Sequence, residues 1–294
     1  MKDHIQRLIN PDRTKVKDSK NKWLATMTDG AYSVTLSGPR RTFAEPTATH
    51  AVTHATWVRT LPAPFDGKLD KVWLKYALKA NKQKVPDVVA IAMQYVKGAP
   101  EIFEGCLQIA GDASYGPLRD GKREEGSDFN DYLGIEWEYP EKLDKPEKRQ
   151  LHCLDCSGFI RMVWGYRHNL PGSDYADAVP LCLKTRSDHR AIPRRAIEIC
   201  EAAPGVIIVP NTGVQVNDFS QLGVGDFVFF DADESDGARV DHVGIYLGLD
   251  AGGHYRFISS RKGANGPTLG DYKGKSILDG TGLYARSFRA VRRL

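Results

Sequence analysis

The sequence predicts an α+β fold, in which a helix packs on an antiparallel sheet and a small β-rich amino-terminal region comes first. Three observations carry this expectation. Residues 1–65 hold apolar–polar alternations broken by turn residues. Between residues 86 and 203, apolar side chains recur at helical spacing. Residues 206–259 return to short apolar runs, without the βαβ alternation that builds a parallel sheet.

The elements follow in order. Residues 23–28 and 31–37 flank Asp29-Gly30, a strong hairpin signal, and residues 49–61 alternate through Ala51, Ala55 and Trp57. Pro62, Pro64 and Gly67 end that pattern, and residues 70–80 place Val72, Trp73, Tyr76 and Ala77 on one helical face. A boundary is expected after residue 85, dividing the chain into residues 1–85 and 86–294. Pro86 suits a helix start, and residues 86–97 continue it until Gly98 and Pro100. Residues 111–150 are rich in Gly, Asp, Glu, Lys and Pro and read as a long excursion of loops. Helices are expected at 156–168 and 193–203, and strands at 206–209, 227–230, 243–247 and 255–259.

Composition narrows the function classes. The chain has 294 residues with 41 Lys+Arg against 37 Asp+Glu, 41% hydrophobic and 27% charged residues. Its mean hydropathy is −0.41. These values suit a globular core and argue against wholesale disorder. A net charge of +4 is too weak to point to nucleic acid. The terminal cluster Arg286, Arg289, Arg292 and Arg293 is expected to be solvated. No run approaches the ~18 apolar residues of a membrane span, so no membrane insertion is expected. The amino terminus also lacks the apolar core of a secretory signal. Location stays open between the cytoplasm and a secreted, cell-wall-associated protein, and oligomeric state stays open too. The five cysteines are too few for a disulfide scaffold.

Chemistry concentrates in Leu154-Asp155-Cys156-Ser157-Gly158-Phe159-Ile160. A cysteine in the first turn of a helix faces unpaired backbone N–H groups and the positive end of the helix dipole. That setting lowers a thiol pKa and can hold an oxyanion. The small residues Ser157 and Gly158 are expected to leave space for a substrate. A nucleophilic cysteine needs a base brought near by folding. Of eight histidines, His242 stands out, because it opens a strand that follows Gly225-Asp226-Phe227-Val228-Phe229-Phe230.

Three segments together resemble the NlpC-type papain-like cysteine peptidases, which cut peptidoglycan stem peptides. Asp155-Cys156-Ser157-Gly158-Phe159 is similar to the family's nucleophile motif. Gly225-Asp226-Phe227-Val228-Phe229-Phe230 is similar to its Gly-Asp-Leu-Val-Phe-Phe strand, and His242-Val243-Gly244-Ile245-Tyr246-Leu247-Gly248 to its base-bearing strand. The resemblance covers about residues 86–294, and it implies a papain-like catalytic domain with Cys156 as nucleophile and His242 as base. On the next strand the family's orienting residue, often a histidine, corresponds to Ser259, with Ser260, His254 and Asp241 as alternatives. The resemblance also implies that Asp155 and Ser157 hold a substrate amine. Tyr115 is the nearest counterpart of a site-lining tyrosine, although forty residues separate it from Cys156.

Other readings use the same residues. Cys153-Leu154-Asp155-Cys156 is a Cys-x-x-Cys at a helix start, as in thiol–disulfide oxidoreductases, but no βαβ pattern precedes it. A third class is a module that binds cell-wall peptide without cutting it. Neither a metal nor a cofactor is expected: there is no second Cys-x-x-Cys, and His50 and His54 on a strand stand about 13 Å apart.

Overall fold

A computed structural model of the chain describes residues 4–167, 179–233, 237 and 239–294. Five strands, β1 (His4–Leu8), β2 (Arg13–Lys17), β3 (Trp23–Thr28), β4 (Ser33–Phe43) and β5 (Val52–Thr60), form an antiparallel meander in sequence order. The Asp29-Gly30 turn joins β3 to β4, and Gly30 takes a φ of +81°, which a side chain would resist. Helix α1 (Lys71–Lys82) begins at Asp70, whose carboxylate accepts from the N–H groups of Val72 and Trp73. Such a cap contributes about 1 kcal/mol. The helix buries Trp73, Leu74 and Ala77 against Val34, Leu36 and Trp57 of the meander.

Helix α2 (Val88–Ala92) passes into a 3₁₀ turn at Met93–Tyr95, so the expected 86–97 helix is shorter than its periodicity. Its cap, Asp87, ties it to the first sheet. The carboxylate accepts from Arg41 through both oxygens, at 2.6 Å each, and from the N–H groups of Val58 and Ala90. Burial alone would push this carboxyl up; Arg41 and the two amides hold it below the usual carboxylate range.

Small hairpins follow: β6 (Ile102–Glu104) with β7 (Leu107–Ala110), β8 (Leu118–Arg119) with β9 (Lys122–Arg123), and β10 (Trp137–Glu138) with β11 (Leu143–Asp144). The 111–150 excursion is therefore built, not slack, and it includes helix α3 (Phe129–Leu133) with a capping box of Asp128 and Asp131. Helix α4 (Cys156–Arg161) continues as π-helical turns over Met162–Arg167. Residue 168, the last of the expected helix, lies outside the described residues.

Helix α5 (Ala196–Ala202) leads to a second antiparallel sheet made of β12 (Val206–Val209), β13 (Phe227–Phe230), β14 (His242–Leu249), β15 (Tyr255–Arg261), β16 (Gly266–Thr268) and β17 (Phe288–Arg293). Its spatial order is β12-β17-β13-β14-β15-β16, with α6 (Leu283–Ser287) just before β17. Helix α4 packs on β14 and β15. Phe159 and Ile160 enter one core with Phe227, Val243 and Ile245, and Val52 and Val58 of the first sheet join it.

The arginine-rich end departs from expectation. Only Arg286 of the four is exposed. Arg292 donates to the carbonyls of Cys200, Glu201 and Ala203, closing the end of α5. Arg293 grips both carboxylate oxygens of Asp226 at 2.8 Å and reaches Thr28 Oγ1 in the first sheet. Charge density along a chain says nothing about partners delivered from far away, and those partners bury the cluster. No helix among the described residues is long and apolar enough to cross a membrane.

Candidate active site

The start of α4 is fixed by a saturated carboxylate. Asp155, the N-cap, accepts from the Gly158 N–H at 2.7 Å and the Ser157 hydroxyl at 3.1 Å through Oδ1. Its Oδ2 accepts from the Gly126 N–H at 3.1 Å. Gly158 is needed here for packing: a Cβ would stand 2.2 Å from the Ser127 carbonyl oxygen. The expected role of its small size, space for substrate, gives way to close approach of two backbone segments.

A residue with no signal in the sequence completes the cap. Arg194, just before α5, donates from Nη1 to Asp155 Oδ1 at 3.2 Å and Ser157 Oγ at 2.6 Å, and from Nη2 to Asp155 Oδ2 at 2.7 Å. Its Nε lies 3.6 Å from Asp128, which is itself paired with the fully buried Arg161 at 3.0 Å. Burial would raise the Asp155 carboxyl, yet Arg194 and the Gly158 and Gly126 amides keep it below the usual range. Before folding, Arg194 is one of several arginines ahead of a helix, indistinguishable from its neighbours.

Cys156 is buried, 7% exposed, and lines a cavity of about 550 Å³. Asp155, Ser157, Tyr115, Arg194, Arg239 and Asp241 share its walls. The cysteine Sγ lies 3.9 Å from the Asp241 carbonyl oxygen, the residue before β14. Burial pushes the thiol up and Asp155 adds to it; Arg194 and the Val243 N–H pull the other way without overcoming it. The lowered thiol expected from the helix start is thus overturned. A helix end helps a thiolate only while the charge stays solvated, and here burial and the Asp155 carboxylate outweigh Arg194.

His242 opens β14, paired with Phe230 of β13. Its Nε2 lies 3.0 Å from the hydroxyl of Ser259, a fully buried residue of β15. The rings of Tyr284 and Phe230 flank the imidazole at 5.4 and 5.8 Å. Burial, with the positive charge of Arg261 behind Tyr284, pulls its pKa down to about 3, so the imidazole rests neutral. The other candidate orienters are engaged elsewhere: Ser260 donates to the Leu154 carbonyl, and His254 meets Asp279 at 2.6 Å. Asp241 accepts from the Asp233 N–H at 2.6 Å.

Tyr115 is buried beside the cysteine despite the forty intervening residues, because the excursion folds back onto α4. Ser114 bridges Cys153, and the Leu154 N–H donates to the Ser114 carbonyl. Cys153 and Cys156 are both free thiols, and burial raises both. Tyr284 and Arg261, like Arg194, carried no sequence signal. Among the described residues, no group of His, Cys, Asp and Glu is arranged to hold a metal ion.

No curated protein matches the chain. Residues 147–266, which bear the cysteine, the histidine and the serine, match the model of the NlpC/P60 family.

Proposed function

We propose that the protein is a cysteine endopeptidase acting on the D-amino-acid-containing stem peptides of peptidoglycan. The NlpC/P60 family is generally one of cell-wall peptidases. The observation that carries the finer reading is a cavity-lining thiol at a helix start, packed against the strand that begins with a hydroxyl-held imidazole. This is the papain-like arrangement, with residues 86–294 carrying the chemistry and residues 1–85 bracing it.

The resting pair is neutral, thiol and imidazole. With its proton on Nε2, His242 donates to Ser259 Oγ, which leaves the Nδ1 lone pair to take the thiol proton. The sulfur attacks the scissile carbonyl, and the oxyanion meets the N–H groups of Cys156 and Ser157, the two at the head of α4 not spent on Asp155. The imidazolium returns its proton to the leaving amine, and water then hydrolyses the thioester by the reverse transfer. Ser259 orients the ring without adding a charge. Asp155, Ser157 and Tyr115 form the substrate wall.

Mass spectrometry of muropeptides, before and after incubation of purified peptidoglycan with the protein, tests this reading. New stem-peptide fragments are expected, and none with Cys156→Ala. Undiminished release by that variant would overturn the nucleophile. Peptide binding with no release by the wild type would leave a non-catalytic module.

A further inference from the structure

Helix α1 packs on β4, apart from the Cys156 cavity, and its inner side buries Trp73, Leu74, Ala77, Ala80 and Asn81. Four of the residues left outside are lysines, Lys71, Lys75, Lys79 and Lys82, and all are exposed. At 3.6 residues per turn they fall within an arc of about 80°, along about 17 Å of helix. No acidic residue occurs between 71 and 82, and among the described residues none of the four lysines pairs with a carboxylate. With these four set aside, the 41 basic residues fall to 37 and match the 37 acidic ones. One helix face thus holds a charge equal to the net charge of the chain.

The stripe works against the helix that bears it. Lys71 lies in the first turn, where the helix dipole disfavours a cation. Lys71 with Lys75, and Lys75 with Lys79, are like charges four residues apart, a spacing at which they repel. Only Lys79 and Lys82, in the last turn, gain from the dipole. An anionic partner that spans the stripe relieves this repulsion. Next to the stripe, one turn apart, stand Val72 at 50% and Tyr76 at 46% exposure. A soluble polyanion gives those two side chains nothing to bury in. A lipid surface offers phosphates to the lysines and an apolar layer to their flank.

We propose that the lysine face of α1 docks the protein on a membrane surface rich in anionic lipid, with the helix lying flat and Val72 and Tyr76 entering the headgroup layer. The contact is peripheral, since the 12 residues of α1 are too few to span a bilayer. It is independent of the chemistry at Cys156. Each lysine should strengthen binding about fivefold, and the gain should fade as salt screens the charges.

Cosedimentation of the full-length protein with lipid vesicles tests the proposal. At low salt, vesicles of phosphatidylcholine with about one-third phosphatidylglycerol should bind it at least about a hundredfold more tightly than phosphatidylcholine alone. Lys75→Gln combined with Lys79→Gln should weaken that binding about 25-fold. Val72→Ser combined with Tyr76→Ser should weaken it about tenfold. Equal binding to both kinds of vesicle, or no loss from the lysine pair, would overturn the docking face. No loss on vesicles from the Val72 and Tyr76 pair, together with equally tight binding of inorganic polyphosphate, would overturn the lipid in favour of a soluble polyanion.

Discussion

Two aspartates in this molecule do the same local job in different surroundings. Asp87 and Asp155 each cap a short helix through the N–H three residues on, and each takes a forked arginine across both oxygens. Around Asp87 everything is sealed. Its partner Arg41 lies over the Trp57 ring at 3.9 Å and locks the first sheet to α2. Around Asp155 the arginine forms the wall of a cavity. One motif is mortar in the first place and the wall of a cavity in the second. Surroundings decide which, because a charge pair acts on a ligand only where a ligand can reach it.

Removing each carboxylate should separate the two roles. Asp87→Ala leaves Arg41 unpaired and α2 uncapped, and should cost about 3–5 kcal/mol in urea unfolding. Activity per folded molecule should stay unchanged. A loss below 1 kcal/mol would deny the mortar role. Asp155→Ala should cost less stability, about 2 kcal/mol, because Arg194 borders a cavity into which it can turn. Its kcat/KM should fall about a hundredfold as the start of α4 shifts. Equal stability losses would erase the distinction.

A neutral clamp should matter less than either ion pair. Ser259→Ala removes the hydroxyl that holds His242 and should lower kcat about tenfold with KM unchanged, measured by steady-state kinetics. A loss matching that of His242→Ala would mean that the serine does more than orient. The smallest effect lies in acid. Both aspartates sit below the unfolded value of about 3.9. As pH falls below that value, the unfolded chain gains protons that the folded one refuses, and stability drops. His242 acts in the same sense over a higher window, from about 6.5 down to about 3. The Tm decline between pH 7 and 4 should therefore be shallower in His242→Gln. An identical slope would place the histidine in contact with water.

What could be read beforehand was what local rules govern. The Asp29-Gly30 hairpin, the Asp70-capped helix, α4 and strands β13 to β15 follow from turn chemistry and periodicity. Short motifs singled out Cys156, His242 and Ser259 as candidates, and the structure sets Cys156 on a cavity and His242 against Ser259. Arg194 was not, since its meaning lies in a carboxylate thirty-nine positions away. Nor was β17: its alternating arginines look like a solvated tail until Asp226 and the end of α5 are brought against them. The thiol's raised pKa was missed for the same reason, because burial belongs to the fold and not to the heptapeptide.

The place of β17 has a consequence for how the molecule comes into being. A ribosome delivers β12 through β16 first, yet among the described residues β12 pairs in the sheet only with β17. The segment bearing Arg194 runs into α5, whose last carbonyls wait for Arg292. Until residues 288–293 emerge, the end of α5 lacks the arginine that closes it and rests on α4 and β14. The order of synthesis thus separates the cysteine-bearing helix from the strand that finishes the α5 side of its cavity by more than a hundred residues.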